Sequence, residues 1–200
     1  MAAATTVILV RHGSHDLLGK VLAGRMAGVS LSAAGRDEAE RVAQRLAGEP
    51  VAAVYASPLE RAQETAEPIA ARHGRPVETA PAILEIDFGD WTGRRFDELA
   101  ADPRWPVWNS ERASSRAPGG ELMAEAQARI GGALESWRTR HPDRTVVAVS
   151  HGDVIKAAVC QVLGLSLDRH DTFAVDPASL TTLVAWAGGG QVVRLNEAAR

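Results

Sequence analysis

The sequence predicts an α/β fold: a single three-layer αβα domain over residues 1–200, with a mostly parallel sheet and helices on both of its faces. Short β-branched runs alternate with amphipathic stretches along the chain, which is the pattern of strand–helix–strand units. The 200 residues, 46% of them hydrophobic, suffice for one substantial core. No repeat or low-complexity linker divides them, so we expect one domain.

The first half of the chain holds two of the predicted strands. TTVILV at 5–10 is a β-branched run that stops abruptly at polar residues, as a buried strand does. Apolar residues at helical spacing predict a helix over 33–47. VAAVYAS at 51–57 is the second strand, and Pro58 in the favoured first-turn position predicts a helix from there to Arg72.

The middle of the chain is less regular. Residues 76–80 form a weak strand, and the loop over 81–93 carries apolar residues that predict packing against the body of the protein. Residues 95–101 predict a short helix. Residues 102–120 are rich in Pro, Ser and Arg, which predicts an irregular excursion that overhangs a site. A long amphipathic helix follows, with apolar residues from 123 to 137.

The last third of the chain repeats the strand-to-polar pattern. RTVVAVS at 144–150 is the third clear strand, and a helix follows from Gly152. SLTTLVAW and QVVRL, joined through a turn at 188–190, predict a hairpin with antiparallel character. This hairpin either extends the edge of the sheet or pairs with a second copy in a homodimer.

Composition excludes several classes of protein. The formal net charge of −3 provides no basic field, so nucleic acid is not an expected partner. The single cysteine, Cys160, excludes a disulfide within the chain and a Cys-rich metal site. The opening MAAATTVILV has no basic start and its apolar run is closed by Arg11, so we expect neither a signal peptide nor a membrane span. A cytoplasmic location is expected.

Polar residues at three strand ends define a candidate site. Arg11-His12-Gly13 follows the first strand, Ser57 and Arg61 follow the second, and His151-Gly152 follows the third. Because ligands bind beyond the carboxyl ends of parallel strands, we expect these residues to face one crevice. Two guanidiniums match the oxygens of a tetrahedral anion, and helix N-termini add backbone N–H groups. The arrangement predicts a phosphate ligand.

The same residue types suggest chemistry as well as binding. A neutral histidine near pH 7 is a competent nucleophile toward phosphorus, and the second histidine can stabilise the transferring group. A leaving alkoxide also needs a proton donor. Glu85, in the apolar segment LEIDFGDWTG, is the best-placed carboxyl because burial there raises its pKa toward the useful range.

Four segments together resemble a known family. LVRHG, SPLERAQETA, EIDFGDWTG and SHGDVIK occur in the order seen in the histidine phosphatase superfamily, which has the phosphoglycerate mutase-like fold, and they span residues 5–163. The resemblance implies that His12 is the phosphorylated nucleophile and that Glu85 is the acid/base. It further implies that Arg11, Arg61 and His151 hold the phosphoryl group, with Gly152 at the following helix N-terminus.

The chain departs from the family pattern at a few positions. The family's phosphate-binding Asn falls at Leu18, so Ser14 or His15 is expected to replace that hydrogen bond. Arg25, in a loop resembling the family's GR-containing loop, is expected to contact the far end of the substrate. PGGEL at 118–122 resembles a PGGES stretch of phosphatase branches. The stretch between Glu85 and His151 is shorter than in mutases that use a bisphosphate cofactor, which favours a hydrolase.

The sequence therefore predicts a phosphomonoester hydrolase that acts through phosphohistidine on a small phosphorylated metabolite, without a cofactor, metal or membrane. A phosphoglycerate mutase-type phosphoryl transferase and a non-catalytic phospholigand-binding module are the alternatives. A metal site built from His12, Glu85, His151 and Asp153 is disfavoured, because two neighbouring arginines would repel a dication and no HExxH or Cys-pair spacing is present. His73, His141 and His170 are expected to be exposed. The identity of the substrate stays open.

Overall fold

The computed structural model describes residues 3–199 and contains a six-stranded sheet. Its strands are β1 (Thr5–Arg11), β2 (Val51–Ala56), β3 (Val77–Thr79), β4 (Thr145–Ser150), β5 (Ser179–Trp186) and β6 (Gly189–Ala198). The strand order is β3-β2-β4-β1-β5-β6. The first four strands in this order pair in parallel, while β5 pairs antiparallel with β1 and with β6. The predicted mostly parallel sheet with a C-terminal hairpin is confirmed.

The described part of the chain contains six α-helices. They are α1 (Ala33–Leu46), α2 (Glu60–Arg72), α3 (Phe96–Ala100), α4 (Arg104–Ser110), α5 (Met123–Arg140) and α6 (Gly152–Leu163). The Ser32 hydroxyl caps α1 by accepting a hydrogen bond from the Gly35 N–H at 3.1 Å. Helix α6 ends at Gly164, whose φ of 66° is the left-handed conformation that glycine adopts without strain.

Two apolar cores lie on opposite faces of the sheet. Along β1, Val7 and Leu9 pack with α5 and α6, while Ile8 and Val10 pack with α1 and α2. Successive side chains of a strand point to opposite faces, so a strand covered on both faces must be apolar at every position. The β-branched run at 5–10 is therefore the direct cause of the three-layer arrangement.

Three local predictions were wrong. Helix α2 begins at Glu60 rather than at Ser57-Pro58, because the Ser57 N–H still donates to Val149 O at 2.9 Å and continues the sheet. The excursion at 102–120 contains α4, and Pro106 lies in its first turn, where a helix N–H has no partner to lose. His170 is buried, at 6% exposure, within a 3₁₀ turn that follows α6.

Within residues 3–199, each helix is too short or too polar to cross a bilayer.

Candidate active site

The two imidazoles of the candidate site meet because β1 and β4 are neighbours in register. Arg11 pairs with Ser150, so His12 and His151 each follow directly at the same edge of the sheet. The His12 N–H donates to Ser150 O at 3.0 Å, and the ring centroids of His12 and His151 lie 5.2 Å apart. His12 is 3% exposed and His151 is fully buried.

Arg61 lies between the two histidines. Its Nε donates to His12 Nε2 at 3.3 Å, and its Nη2 donates to Gly24 O at 2.7 Å and to His151 Nδ1 at 3.4 Å. The side chain is 1% exposed. These bonds fix the guanidinium over the end of β1, with its edge toward the His12 ring.

Three buried guanidinium nitrogens have no partner among the described residues; one is Nε of Arg112, outside the cavity described below, and the other two belong to the candidate site. These two are Nη1 of Arg61 and Nε of Arg11, whose Nη1 is held by Val175 O at 2.7 Å. A buried donor without an acceptor costs free energy of about 1–3 kcal/mol, and more when it is charged. An anion bound between Arg11 and Arg61 would satisfy both donors.

The partners of His12 assign its tautomer. Nδ1 lies 2.8 Å from Gly13 O, and a carbonyl only accepts, so Nδ1 carries the proton. Nε2 then presents its lone pair toward Arg61. Burial, followed by the charges of Arg61 and Arg11, holds the pKa of His12 well below its ordinary value. His12 is therefore a neutral imidazole whose unprotonated Nε2 accepts a long hydrogen bond of 3.3 Å from Arg61 Nε.

His151 has a different environment. Its Nε2 lies 2.7 Å from Ser57 Oγ and its Nδ1 accepts from Arg61, so both ring nitrogens are engaged. Burial, followed by the charge of His12, holds its pKa well below the ordinary value. The ring lies behind Arg61 and does not line the cavity described below, so the direct contact with a phosphoryl group implied by the resemblance stays a prediction.

A cavity of about 220 Å³ opens over these residues. Its lining includes the cationic and imidazole side chains Arg11, His12, His15 and Arg61 and the start of α6 at Gly152. It also includes two carboxyl groups, a lysine and several apolar residues. The remaining lining residues are Leu18, Gly19, Val21, Leu22, Ala23, Gly24, Glu85, Phe88, Phe96, Asp153, Lys156 and Val175.

Glu85 brings a carboxyl group into this cavity. Its Oε1 accepts a hydrogen bond from the Ile86 N–H at 2.9 Å. Burial, followed by the nearby charge of Asp153, raises the pKa of Glu85 to about 7, although the Ile86 N–H and the two arginines oppose the shift. Near neutral pH, Glu85 is therefore able to donate a proton or to accept one.

Arg25 holds the Glu85 loop rather than lining the cavity. Its Nε donates to Glu85 O at 2.8 Å, and its two terminal nitrogens contact Asp87 at 3.3 Å and Glu121 at 3.0 Å. Arg129 also donates to Glu85 O, at 3.2 Å, and pairs with Glu121 at 2.8 Å. The structure thus does not bring Arg25 to the predicted far end of a substrate, because all three of its nitrogens are bonded elsewhere.

Close backbone packing fixes the same loop against the PGGEL segment. A Cβ added at Gly89 would lie 2.1 Å from Pro118 O, and one added at Gly120 would lie 2.2 Å from Asp87 O. Two backbone hydrogen bonds of 2.8 Å, Asp90 N to Pro118 O and Glu121 N to Asp87 O, join the segments. The glycines of both motifs are required by this contact.

Of the two residues expected to replace the missing Asn, only His15 lines the cavity. Its ring centroid lies 5.4 Å from that of His12, and its Nδ1 is buried without a partner in the described region. Burial, followed by Arg61 and Arg11, lowers the pKa of His15 to about 4. Ser14 instead donates to Glu38, from its N at 2.7 Å and its Oγ at 3.0 Å. Leu18 itself forms part of the cavity wall.

Sequence reasoning missed an ion pair at the mouth of the cavity. Arg112 is buried against the Trp108 ring, 3.4 Å from its centroid, and donates to Asp153 Oδ2 at 3.0 Å. Although burial raises the pKa of Asp153, the Arg112 charge and hydrogen bond hold it below the ordinary value. Helical spacing after Gly152 places Asp153 and Lys156 near the site, but nothing local to Arg112 signals its role.

Gly13 of the RHG motif is required by the packing of α1, which gives a first prediction. A Cβ at Gly13 would lie 2.6 Å from Gly35 O, so the Gly13→Ala variant must displace the start of α1 or His12. We expect a loss of about 1–3 kcal/mol in the free energy of unfolding, measured in urea. Gly132→Ala is the control: it lies inside α5 with nothing within 4 Å, and should gain about 0.5–1 kcal/mol. Equal stability of wild type and Gly13→Ala would contradict the close contact.

No group of three or more His, Cys, Asp or Glu side chains between residues 3 and 199 is arranged to hold a metal ion.

Comparison with known proteins places this geometry in a family. Phosphoserine phosphatase 1 of Hydrogenobacter thermophilus is 33% identical over 197 residues, which cover 95% of this chain and 91% of that protein. A mycobacterial glucosyl-3-phosphoglycerate phosphatase superposes with a TM-score of 0.87 at 25% identity, over 97% of this chain and 99% of that chain. A phosphoserine phosphatase mutant of Entamoeba histolytica in complex with phosphoserine gives 0.85 at 28% identity, over 96% of both chains. The model of the histidine phosphatase superfamily (branch 1) matches residues 7–198, and the chain belongs to that superfamily.

Proposed function

We propose that the chain is a phosphomonoester hydrolase that forms a phosphohistidine at His12 and acts on a small phosphorylated metabolite. One observation carries the proposal. The unprotonated Nε2 of His12, which accepts only a long hydrogen bond of 3.3 Å from Arg61 Nε, lies beside two guanidiniums that each carry an unpartnered N–H group, in the same cavity as a carboxyl group whose pKa is about 7. A nucleophile, an anion site and a proton donor are thus together.

The first half of the reaction transfers the phosphoryl group to the protein. Arg11 and Arg61 bind its oxygens, and the backbone at Gly152 adds the N-terminus of α6. His12 Nε2 attacks phosphorus in line, the bond from phosphorus to the ester oxygen breaks, and Glu85 gives its proton to the leaving oxygen. The Nδ1 proton of His12, held by Gly13 O at 2.8 Å, stabilises the imidazolium that forms.

The second half returns the protein to its starting state. Glu85, now a carboxylate, takes a proton from water while the water oxygen attacks phosphorus. The bond from phosphorus to Nε2 breaks and inorganic phosphate leaves. The fully buried His151 holds Arg61 in place throughout, through the contact between Nδ1 and Nη2 at 3.4 Å. We propose that it also stabilises the transferring group.

Release of free phosphate separates this function from its alternatives. A panel of phosphorylated metabolites should yield phosphate with every accepted substrate, together with an acid-labile, base-stable phosphoenzyme on rapid quench. A mutase would move the phosphoryl group between hydroxyls of one sugar acid faster than it releases phosphate. A binding module would bind phosphate tightly and turn over none of the panel.

Metal independence is a further prediction of this mechanism. Two guanidiniums supply the positive charge, and Glu85 supplies the proton that a metal-bound water would otherwise provide. We therefore expect full activity in EDTA, with no gain on adding Zn²⁺ or Mg²⁺, measured as phosphate release. If EDTA abolished the activity and zinc restored it, the metal-independent mechanism would be wrong.

The named relatives suggest where the substrate panel should start. Phosphoserine and glucosyl-3-phosphoglycerate are the substrates that their names give, and both are phosphorylated carboxylic acids. The cavity of about 220 Å³ is smaller than the ~300–1,000 Å³ typical of drug-sized ligand pockets, which favours the more compact of the two.

A further inference from the structure

We propose that Lys156 is a specificity-determining residue, whose ammonium group binds a carboxylate on the leaving group of the substrate. The inference rests on the proposed phosphatase function and adds to it the class of the leaving group. It is drawn from the position of Lys156, from the pairing of the charges around it and from the shape of the cavity.

Lys156 lies on the same helix that begins at the anion site. Gly152 opens α6 beside the Arg11 guanidinium, and Lys156 follows four residues later, one helical turn along the same face. Both residues line the cavity. A phosphoryl group bound at Arg11 would therefore lie in the same cavity as Lys156, about one helical turn of α6 away.

The charges around Lys156 leave it without a partner in the described region. Its nearest acidic neighbour on the helix, Asp153, pairs with the buried Arg112 at 3.0 Å. Between residues 3 and 199, no carboxylate oxygen lies within 4.0 Å of Lys156 Nζ. The Phe173 ring lies 6.0 Å from Nζ and offers a cation–π contact of modest strength.

Lys156 is a third cationic side chain of the cavity besides the two arginines, and Asp153, the acidic lining residue nearest to it on the helix, already pairs with Arg112. Arg11 and Arg61 match the phosphoryl oxygens, while His12 and His15 are neutral because burial and the arginines lower their pKa values. Lys156 remains as an extra cation in a cavity that also has apolar lining residues. An ammonium that loses part of its hydration there gains most from a second anionic group on the substrate.

Carboxylate, rather than a second phosphate, fits the remaining space. The apolar lining residues Leu18, Leu22, Phe88 and Phe96 offer no further side-chain donors for phosphate oxygens. A single ammonium is a point charge suited to one carboxylate, whereas phosphate recognition elsewhere in the cavity uses two guanidiniums.

Matched pairs of substrates test this role directly. O-phosphoserine carries a carboxylate where O-phosphoethanolamine has a hydrogen, and 3-phosphoglycerate carries one where glycerol 3-phosphate has a neutral hydroxymethyl group. We expect wild type to favour the carboxylate member of a pair in kcat/KM. Lys156→Met should raise KM for that member about tenfold with little change in kcat, and should leave the carboxylate-free member unchanged. Lys156→Arg should keep part of the preference.

Lys20→Met is the matched control, because Lys20 is the other lysine of the chain and its Nζ bonds Asp16 O at 3.0 Å outside the cavity. It should behave as wild type toward all four substrates. Equal losses for both members of a pair in Lys156→Met, or an unchanged preference, would overturn the assignment.

Failure of the proposed function gives a different result. A protein that forms no phosphoenzyme and hydrolyses neither the four substrates nor nitrophenyl phosphate is not a phosphatase. Calorimetric titration with 3-phosphoglycerate and glycerol 3-phosphate then tests Lys156 by itself. Tighter binding of the first ligand that is lost in Lys156→Met supports the role, and equal binding of the two ligands overturns it.

Discussion

Replacing His12 with alanine should abolish both the phosphoenzyme and the turnover. In the proposed mechanism His12 Nε2 is the nucleophile, and the Nδ1 hydrogen bond to Gly13 O at 2.8 Å keeps Nε2 unprotonated. Removing a covalent nucleophile typically costs about 10⁴–10⁶-fold in kcat. The measurement is a rapid quench with a ³²P-labelled phosphomonoester, followed by counting of acid-labile label on the protein.

His15→Ala is the matched control for that experiment. It removes a second buried imidazole only 5.4 Å away, yet the protein should still become labelled. Both variants should retain the wild-type circular dichroism spectrum. Acid-labile label that persisted on His12→Ala would assign the nucleophile to a different side chain.

Replacing Glu85 with glutamine should slow the transfer of the phosphoryl group from substrate to His12. The slowing should be greatest for substrates whose leaving oxygen most needs a proton. Glutamine keeps the shape of the side chain and accepts from the Ile86 N–H, but it has no acidic proton to give. For an alkyl phosphomonoester we expect a fall in kcat/KM of about 10²–10⁴-fold. For nitrophenyl phosphate, whose leaving phenolate needs little protonation, the fall should be much smaller.

The pH profile of the wild type gives an independent test of Glu85. Its pKa is raised to about 7, so the proton it donates is present below that pH and is lost as pH rises through it. The profile of kcat/KM for an alkyl substrate should therefore decline above about pH 7, whereas Glu85→Gln should lack this limb. The second ionisation of the substrate, near pH 6, is common to both proteins and cancels in the comparison. An alkaline limb of equal size in Glu85→Gln would assign the acid to another group.

The sequence predicted three strands well because each carries two local signals, an apolar run and a polar residue that ends it. β1, β2 and β4 each join a β-branched or apolar run to an abrupt polar end, so both their burial and their direction follow from local sequence. Helix α4 was not predicted, because the Pro, Ser and Arg content of residues 102–120 indicated an irregular segment. The packing of Trp105 against Trp91, at 5.3 Å, is a tertiary contact of that helix which no local pattern contains.

In the candidate site, too, the residues placed by local sequence were predicted and the residue placed by a distant partner was not. The strand-end rule and the motifs bring Arg11, His12, Arg61 and Glu85 to one cavity. The placement of Arg25 was not foreseeable, because its partner Glu121 lies 96 positions further along the chain. Whether a loop arginine has a structural or a ligand-binding role depends on which hydrogen-bond acceptor the fold brings near it.

The backbone contact between the Glu85 loop and the PGGEL segment has a consequence for how this scaffold diversifies. The Glu85 loop is fixed by glycine contacts and backbone hydrogen bonds to the PGGEL segment, whereas Leu18, Leu22, Phe96 and Lys156 line the cavity without taking part in those contacts. Under the proposed mechanism, substitutions at these four positions would change which metabolites are accepted while the placement of the Glu85 carboxyl group stayed the same.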